Sequence, residues 1–246
     1  MQYKLGKLPA RKGAIKFELA HYLNLPTLVL PKTFGHQKLE NEWQMLGNDQ
    51  YGDCVWAGAG HETMLWNLEA GKTVTITTAN ALSDYAKVTG FNPNDPNTDQ
   101  GTDMQVAASY RLKTGVVDAQ GQRHKVGAYL AIKLGDTTLL KQAMYLFGSV
   151  GIGIEFPQSA MDQFNAGKPW SVVKSTVEGG HYIPAVGYDA KYIYVVTWGK
   201  CIKMTWGFFK KYADEAIVYL SEEMLKNGTS LEGFNLAQLQ ADLKAL

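Results

Sequence analysis

Asn48-Asp49-Gln50-Tyr51-Gly52-Asp53-Cys54-Val55-Trp56-Ala57-Gly58-Ala59-Gly60-His61 joins a polar, glycine-containing turn to a run of small and apolar residues with helical potential. Cys54 stands at the junction, where the helix begins. A thiol at a helix N-terminus lies beside unpaired backbone N–H groups, whose partial positive charge favours the thiolate. The same N–H groups can hold an oxyanion formed next to the sulfur. Read alone, the stretch also fits a buried cysteine that merely starts a core helix, because free cysteine is among the most buried residue types.

Working outward, the helix from Cys54 is expected to reach Glu69 and to stop at Gly71, with Val55, Ala59, Met64, Leu65 and Leu68 forming a core-facing stripe. His61 is two turns from Cys54, too far to act on its sulfur, and reads as a packed or hydrogen-bonded core histidine. Residues 1–47 read as an irregular arm lying over the domain, with a short helix over Lys16–Leu23. Further helices are expected at Thr78–Val88 and Asp103–Thr114. The segment Asn92 to Asp103 is oxygen-rich, but its glycine and its twelfth residue miss the calcium-loop positions, so it reads as a solvated loop. From Val116 onward strands take over. Those expected are Val126–Leu134, Val150–Phe156, His181–Tyr188, Tyr192–Thr197 and Glu215–Leu220, with helices at Asp136–Phe147 and Phe208–Tyr212. Leu236–Leu246 reads as an amphipathic helix capped by Asn235.

The 246 residues are 46% hydrophobic and 19% charged, enough for a sizeable core. Twenty-four basic against 23 acidic residues leave a formal charge of +1, which argues against nucleic acid or an anionic membrane as a general partner. Two cysteines, Cys54 and Cys201, do not make a disulfide framework, and a reducing compartment is the simplest setting. No apolar run has the length of a membrane span. No cofactor motif is present.

A cysteine nucleophile needs a base, usually a histidine distant in sequence. Gly179-Gly180-His181 offers one at what reads as the start of a strand, ahead of Val186-Gly187-Tyr188. In this respect the chain resembles the papain-like cysteine peptidases, over roughly Met45 to Leu220. The matching stretches, in order, are Cys54-Val55-Trp56-Ala57, Ala81-Leu82-Ser83-Asp84, Asp99-Gln100-Gly101-Thr102, Phe164-Asn165-Ala166-Gly167, His181 with Val186-Gly187-Tyr188, and Thr197-Trp198-Gly199. The style of these motifs is similar to that of papain-like proteins of bacteriophages and prophages.

The resemblance implies an α+β, two-lobe fold. A helical lobe spans about 48–115 and an antiparallel β lobe about 116–220, with a cleft between them, preceded by the arm 1–47 and followed by a helical appendage, 221–246. It implies thiol-dependent amide hydrolysis of a peptide or protein, with Cys54 as nucleophile and His181 as base. Thr197 stands where the family has an orienting Asn. Gly101 belongs to the wall that binds substrate backbone, and Trp198 covers the pair. Where the family has its oxyanion-hole Gln, this chain has Asn48, with Gln50 two residues late; such a donor contributes about 2.7–4 kcal/mol to the transition state. By this reading Cys54 pairs with His181 as a thiolate and is alkylated much faster than Cys201. Thr in place of Asn supports the alternative of a degraded module with a binding or structural role, for instance in a phage virion, where the arm meets a partner. A transferase or deamidase on the same scaffold is a further alternative.

Overall fold

The computed structural model describes residues 2–22, 28–38 and 42–225. The helix released by the turn, α1, spans Cys54–Glu69 and ends at Ala70, with Gly71 at φ +77° donating its N–H to Leu68. The expected apolar stripe is too narrow a description: every residue from Cys54 to Asn67 is buried. The reason is position. α1 lies between two further helices and the face of a sheet, so it has no solvent side. His61 is a core histidine, its Nε2 2.9 Å from the Gln44 carbonyl and its pKa pushed down to about 4 by burial.

α2 (Thr78–Thr89) starts with a capping box in which Thr77 and Asn80 satisfy each other's backbone N–H groups. α3 (Met104–Lys113) starts on Asp103, whose carboxylate accepts from the N–H groups of Gln105 and Val106. The loop before it is organised by hydrogen bonds rather than loosely solvated: Asp99 accepts from Gly52 N–H and from the Tyr85 hydroxyl. In the arm, the described part of the expected Lys16–Leu23 helix, up to Tyr22, holds one 3-10 turn at Leu19–His21. A short strand, β1, follows at Phe34–Gly35.

The second half is one antiparallel sheet. Its members are β4 (Val126–Ala131), β5 (Val150–Pro157), β6 (Val177–Tyr188), β7 (Tyr192–Thr197), β8 (Lys200–Thr205) and β9 (Ala213–Ser221), ordered β4-β9-β5-β6-β7-β8, with β1 added on β6. A separate hairpin joins β2 (Val116–Val117) to β3 (Arg123–His124). α4 (Thr137–Phe147) packs on the sheet, and α5 (Gln158–Asn165) and α6 (Trp206–Tyr212) complete its core around Phe156, Trp170 and Phe208. The expected helix at 236–246 lies outside the described residues.

Two differences from the sequence reading bear on the site. β6 begins at Val177, so His181 is not at a strand start but inside the strand, opposite Ile154 of β5. β8 was not anticipated. It follows β7 through a tight hairpin in which Trp198 (φ +43°) and Gly199 (φ +69°) both take the left-handed conformation that matches strand twist. Tryptophan is a poor residue for that conformation, which hid the turn.

A buried polar cluster joins the hairpin to the end of β9. His124 Nδ1 is 2.9 Å from Glu223 and its Nε2 is 3.1 Å from Asp118. Glu223 first, opposed by burial, and then Asp118 raise the imidazole above its ordinary 6.5. A more basic folded-state histidine stabilises fully below the unfolded pKa, and that contribution is lost as pH rises through the folded value. Thermal unfolding followed from about pH 6 to pH 9 is therefore expected to show a declining Tm that flattens in His124→Gln. Parallel profiles for the two proteins would contradict this.

Candidate active site

The helix N-terminus, the middle of β6 and the β7–β8 turn converge. Cys54 is the first residue of α1 and is 2% exposed. Its sulfur faces the backbone N–H of Tyr182, the residue after His181, and that of Gly6 in the arm. His181 is 1% exposed, and its Nε2 lies 2.7 Å from the Thr197 hydroxyl. Its Nδ1 is buried with no hydrogen-bond partner. The Trp198 ring stacks on the imidazole at 4.5 Å and 20°, and Phe156 meets it edge-on at 5.5 Å. Thr197 and Trp198 thus hold one nitrogen and one face of the ring. The left-handed Trp198 backbone aims the indole there, a local strain of the kind kept at functional sites.

Of the two amides considered for an oxyanion site, Asn48 is buried and turned inward, with its Nδ2 3.0 Å from the Tyr51 carbonyl and 3.4 Å from the Lys4 carbonyl. Gln50 is exposed on the turn. Asp53, beside Cys54, is wholly buried, and desolvation raises its carboxyl pKa well above the ordinary range.

Residues 3–8 of the arm run through the site. Gly6 and Lys7 both donate N–H to the Gly180 carbonyl, at 3.2 and 3.0 Å. On the other side Thr102 donates to Gly6 O at 2.7 Å, and Leu8 donates to Thr102 O at 3.0 Å. The result is a short strand clamped between the Gly101–Thr102 wall and the residue before His181, parallel to the wall at Lys7–Thr102. Upstream, the Lys4 carbonyl accepts from Trp198 Nε1 at 3.3 Å, and Tyr3 stacks on the Trp198 ring at 5.0 Å. The approach is close enough to demand glycine. A Cβ on Gly6 would stand 1.8 Å from the Gly52 carbonyl oxygen, and one on Gly101 (φ +77°) would stand 2.3 Å from Gly6 O. The arm presents to the sulfur the Gly6 amide N–H, a hydrogen it shares with the Gly180 carbonyl.

This changes the expected state of the pair. With the arm seated, burial pushes the Cys54 thiol up to about 12, against the pull of the two N–H groups, and pushes the His181 imidazole down to about 3. Both are neutral at pH 7, not a thiolate–imidazolium pair, and the expected rapid alkylation of Cys54 does not apply to this form. Cys201, half-buried and free, is also raised to about 12 by burial.

Sequence reasoning did not find Lys7, Asp214 or Glu215. Lys7 Nζ is 2.6 Å from Asp214 and 3.3 Å from Glu215, across more than two hundred residues of chain. No local pattern announces such a pair. Nor was the link between the lobes visible: Glu62 of α1 accepts from Arg111 of α3 (2.7 Å), Ser149 (2.8 Å) and the Tyr182 hydroxyl of β6 (2.9 Å).

A helical half packed against an antiparallel sheet, with Cys54 at a helix N-terminus and His181 on a sheet strand, is the papain-like two-lobe fold, and this chain has it. The protein is similar in structure to xylellain, a cysteine protease from Xylella fastidiosa, with a TM-score of 0.68 at 15% identity over 89% of this chain and 98% of that one. It is similar also to procathepsin B S9 from Trypanosoma congolense (TM-score 0.68, 14% identity, 89% of this chain and 87% of that one). A third is the Carica candamarcensis cysteine protease CMS1MS2, solved in complex with E-64 (TM-score 0.59, 13% identity, 78% and 99%). No sequence-family profile and no curated protein sequence matches the chain. Among the described residues no helix is long and apolar enough to cross a membrane.

Thr197→Val tests the orienting contact. It removes the oxygen while keeping the shape, and leaves both imidazole nitrogens without a partner. Once the arm is displaced, reaction of Cys54 with a peptidyl electrophile is expected to slow about tenfold or more, whereas Thr197→Asn is expected to maintain or raise it. A rate unmoved by valine would take Thr197 out of the site.

Proposed function

We propose that this protein is a papain-like cysteine peptidase held in a closed, arm-occluded form. The observation that carries the reading is the use of the two imidazole nitrogens: Nε2 is engaged by Thr197, and Nδ1 is buried without a partner on the residue that precedes Tyr182, whose backbone N–H faces the Cys54 sulfur. In this reading the arm leaves, and water and a peptide enter. His181 Nδ1 takes the Cys54 proton, and the sulfur attacks the peptide carbonyl carbon. The tetrahedral oxyanion is met by the Cys54 backbone N–H and by the Asn48 Nδ2–H that the departing Lys4 carbonyl releases. The imidazolium then passes its proton to the departing amine, and a water activated by the same nitrogen hydrolyses the thioester. Thr197 keeps the imidazole oriented throughout, and Trp198 excludes water from its face.

The segments 1–47, 48–220 and 221–246 serve as arm, catalytic domain and appendage in this scheme. A virion role, with a phage origin, is supported solely by the style of the Cys54 and Trp198 motifs and comes second.

A peptidyl electrophile such as a vinyl sulfone, incubated with the full chain and read by mass spectrometry, is expected to modify Cys54 and spare Cys201. His181→Ala is expected to lower that rate at least tenfold. Modification that ignores the histidine would overturn the reading in favour of a module without catalysis.

A further inference from the structure

The arm does more than cover the thiol, because one of its side chains is inserted into a built pocket. Lys7 is 4% exposed, with nothing of its side chain reaching solvent. Its stem passes Gly153 of β5, where a Cβ would stand 2.2 Å from the Lys7 Cε and 2.8 Å from the Met104 sulfur, so this glycine makes the room for the chain. Its ammonium reaches Asp214 and Glu215 at the start of β9 and also donates to the Leu8 carbonyl at 2.9 Å. Beyond the lysine, Asp214 Oδ1 and Glu215 Oε2 are buried with no hydrogen-bond partner. The pocket therefore offers more acceptor capacity than one ammonium uses. A planar guanidinium, with five donors, matches that surplus.

Lys7 is held by its own backbone in a strand that bridges the two walls of the cleft, through contacts that an extended peptide with glycine before the cationic residue can make: N–H to Gly180 O, with the neighbouring residues on Thr102. Nothing covalent retains it. When the arm departs, two adjacent carboxylates are left in a site walled by Met104 and β5, and like charges so placed are unfavourable without a cation between them. Asp103 adds negative potential from the next turn, partly answered by its ion pair with Arg11 on the rim. The pocket is thus selective for a positive side chain by charge, and selective for a long unbranched one by the depth of the Lys7 stem.

We propose that the pocket now filled by Lys7 is the specificity pocket of the enzyme, and that it takes a lysine or arginine side chain of the peptide substrate, with Asp214 and Glu215 as the residues that determine the choice. This rests on the thiol-peptidase reading for the word substrate, but the recognition itself is independent of the chemistry. Lys7 is then a pseudo-substrate side chain, and arm release and substrate binding compete for one cation site.

The test uses the full chain carrying Lys7→Ala and Cys54→Ala, so that the arm is loosened and no reaction follows. Fluorescently labelled short peptides, identical except for one residue that is lysine, arginine, norleucine or glutamate, are titrated by polarisation. Norleucine keeps the lysine stem without its charge. Lysine and arginine peptides are expected to bind at least tenfold tighter than norleucine, and glutamate weakest of all. Glu215→Gln with Asp214→Asn is expected to bring lysine and norleucine within about twofold, with the single Glu215→Gln intermediate and a thermal melt confirming a folded protein. Equal or tighter binding of norleucine would overturn the proposal. A parallel experiment in Lys7→Ala with Cys54 intact, using the lysine and norleucine peptides each carrying a vinyl sulfone, separates the two readings. Selective binding without modification of Cys54 leaves the pocket standing and removes the peptidase. Modification at the same rate with lysine and norleucine removes the pocket and leaves the peptidase.

Discussion

Lys7→Met is expected to raise the rate at which iodoacetamide alkylates Cys54 by roughly ten- to a hundredfold at pH 7. Cys54 is 2% exposed beneath the arm and its thiol is pushed up to about 12, so reagent reaches it as thiolate only when the arm opens. When opening and reclosing are fast, the observed rate follows the open population. Removing one partner of a buried ion pair costs about 3–5 kcal/mol when the remaining charge is trapped. That figure is an upper bound here. Asp214 and Glu215 side chains keep 20% and 12% of their exposure, and a carboxylate without its cation protonates. A net loss of about 1.4–2.8 kcal/mol from arm docking converts to the stated range. Methionine retains an apolar stem, so the change reports charge rather than lost packing. Alkylation of Cys201 in the same sample is the internal control and should not move. An unchanged Cys54 rate would mean that Lys7 does not hold the arm in place.

Arg111→Ala is expected to destabilise the fold by about 3–5 kcal/mol, the largest single effect on stability predicted for this chain. Arg111 is 2% exposed, and its guanidinium donates to Glu62 and lies 3.8 Å over the Tyr219 ring. Without it, Glu62 is left fully buried, with only the Ser149 and Tyr182 hydroxyls as donors. Denaturant unfolding should show a lowered midpoint with an unchanged slope. Adding Glu62→Gln to Arg111→Ala is expected to recover part of the loss, since no charge then remains to be solvated. A loss of under about 1 kcal/mol in the single variant would show that this network is not what joins α1 and α3 to β6. The consequence for function is geometric. Tyr182 follows His181 and Glu62 lies two turns along the helix from Cys54, so this bond fixes the helix that carries the thiol against the strand that carries the imidazole.

Much of this protein was legible in its residue order. The limits of α1 follow from a turn, a run of small residues and Gly71; Thr77, Asp103 and Asp136 name the starts of α2, α3 and α4, because a capping oxygen acts within three residues of its own position. Tyr192–Thr197 is read from a run of aromatic and β-branched residues after the turn at Asp189-Ala190-Lys191. Cys54, His181 and Thr197 emerge from the order of short motifs, and the hydrogen bond between the last two is present. What the residue order did not disclose has a common cause: it depends on groups that meet only after long loops have closed. β8 was hidden because tryptophan occupies a left-handed turn position that only its stacking on His181 makes tolerable. The Glu62 network and the Lys7–Asp214–Glu215 cluster join residues tens to hundreds apart, with no periodicity to mark them. The acidity of the Cys54 thiol in the closed form was not legible for the same reason, since it depends on what buries the sulfur. Local preferences are short-range and are written into neighbouring residues; desolvation and ion pairing are properties of the assembled interior, and only the closed arm decides that Cys54 and His181 rest uncharged beneath it.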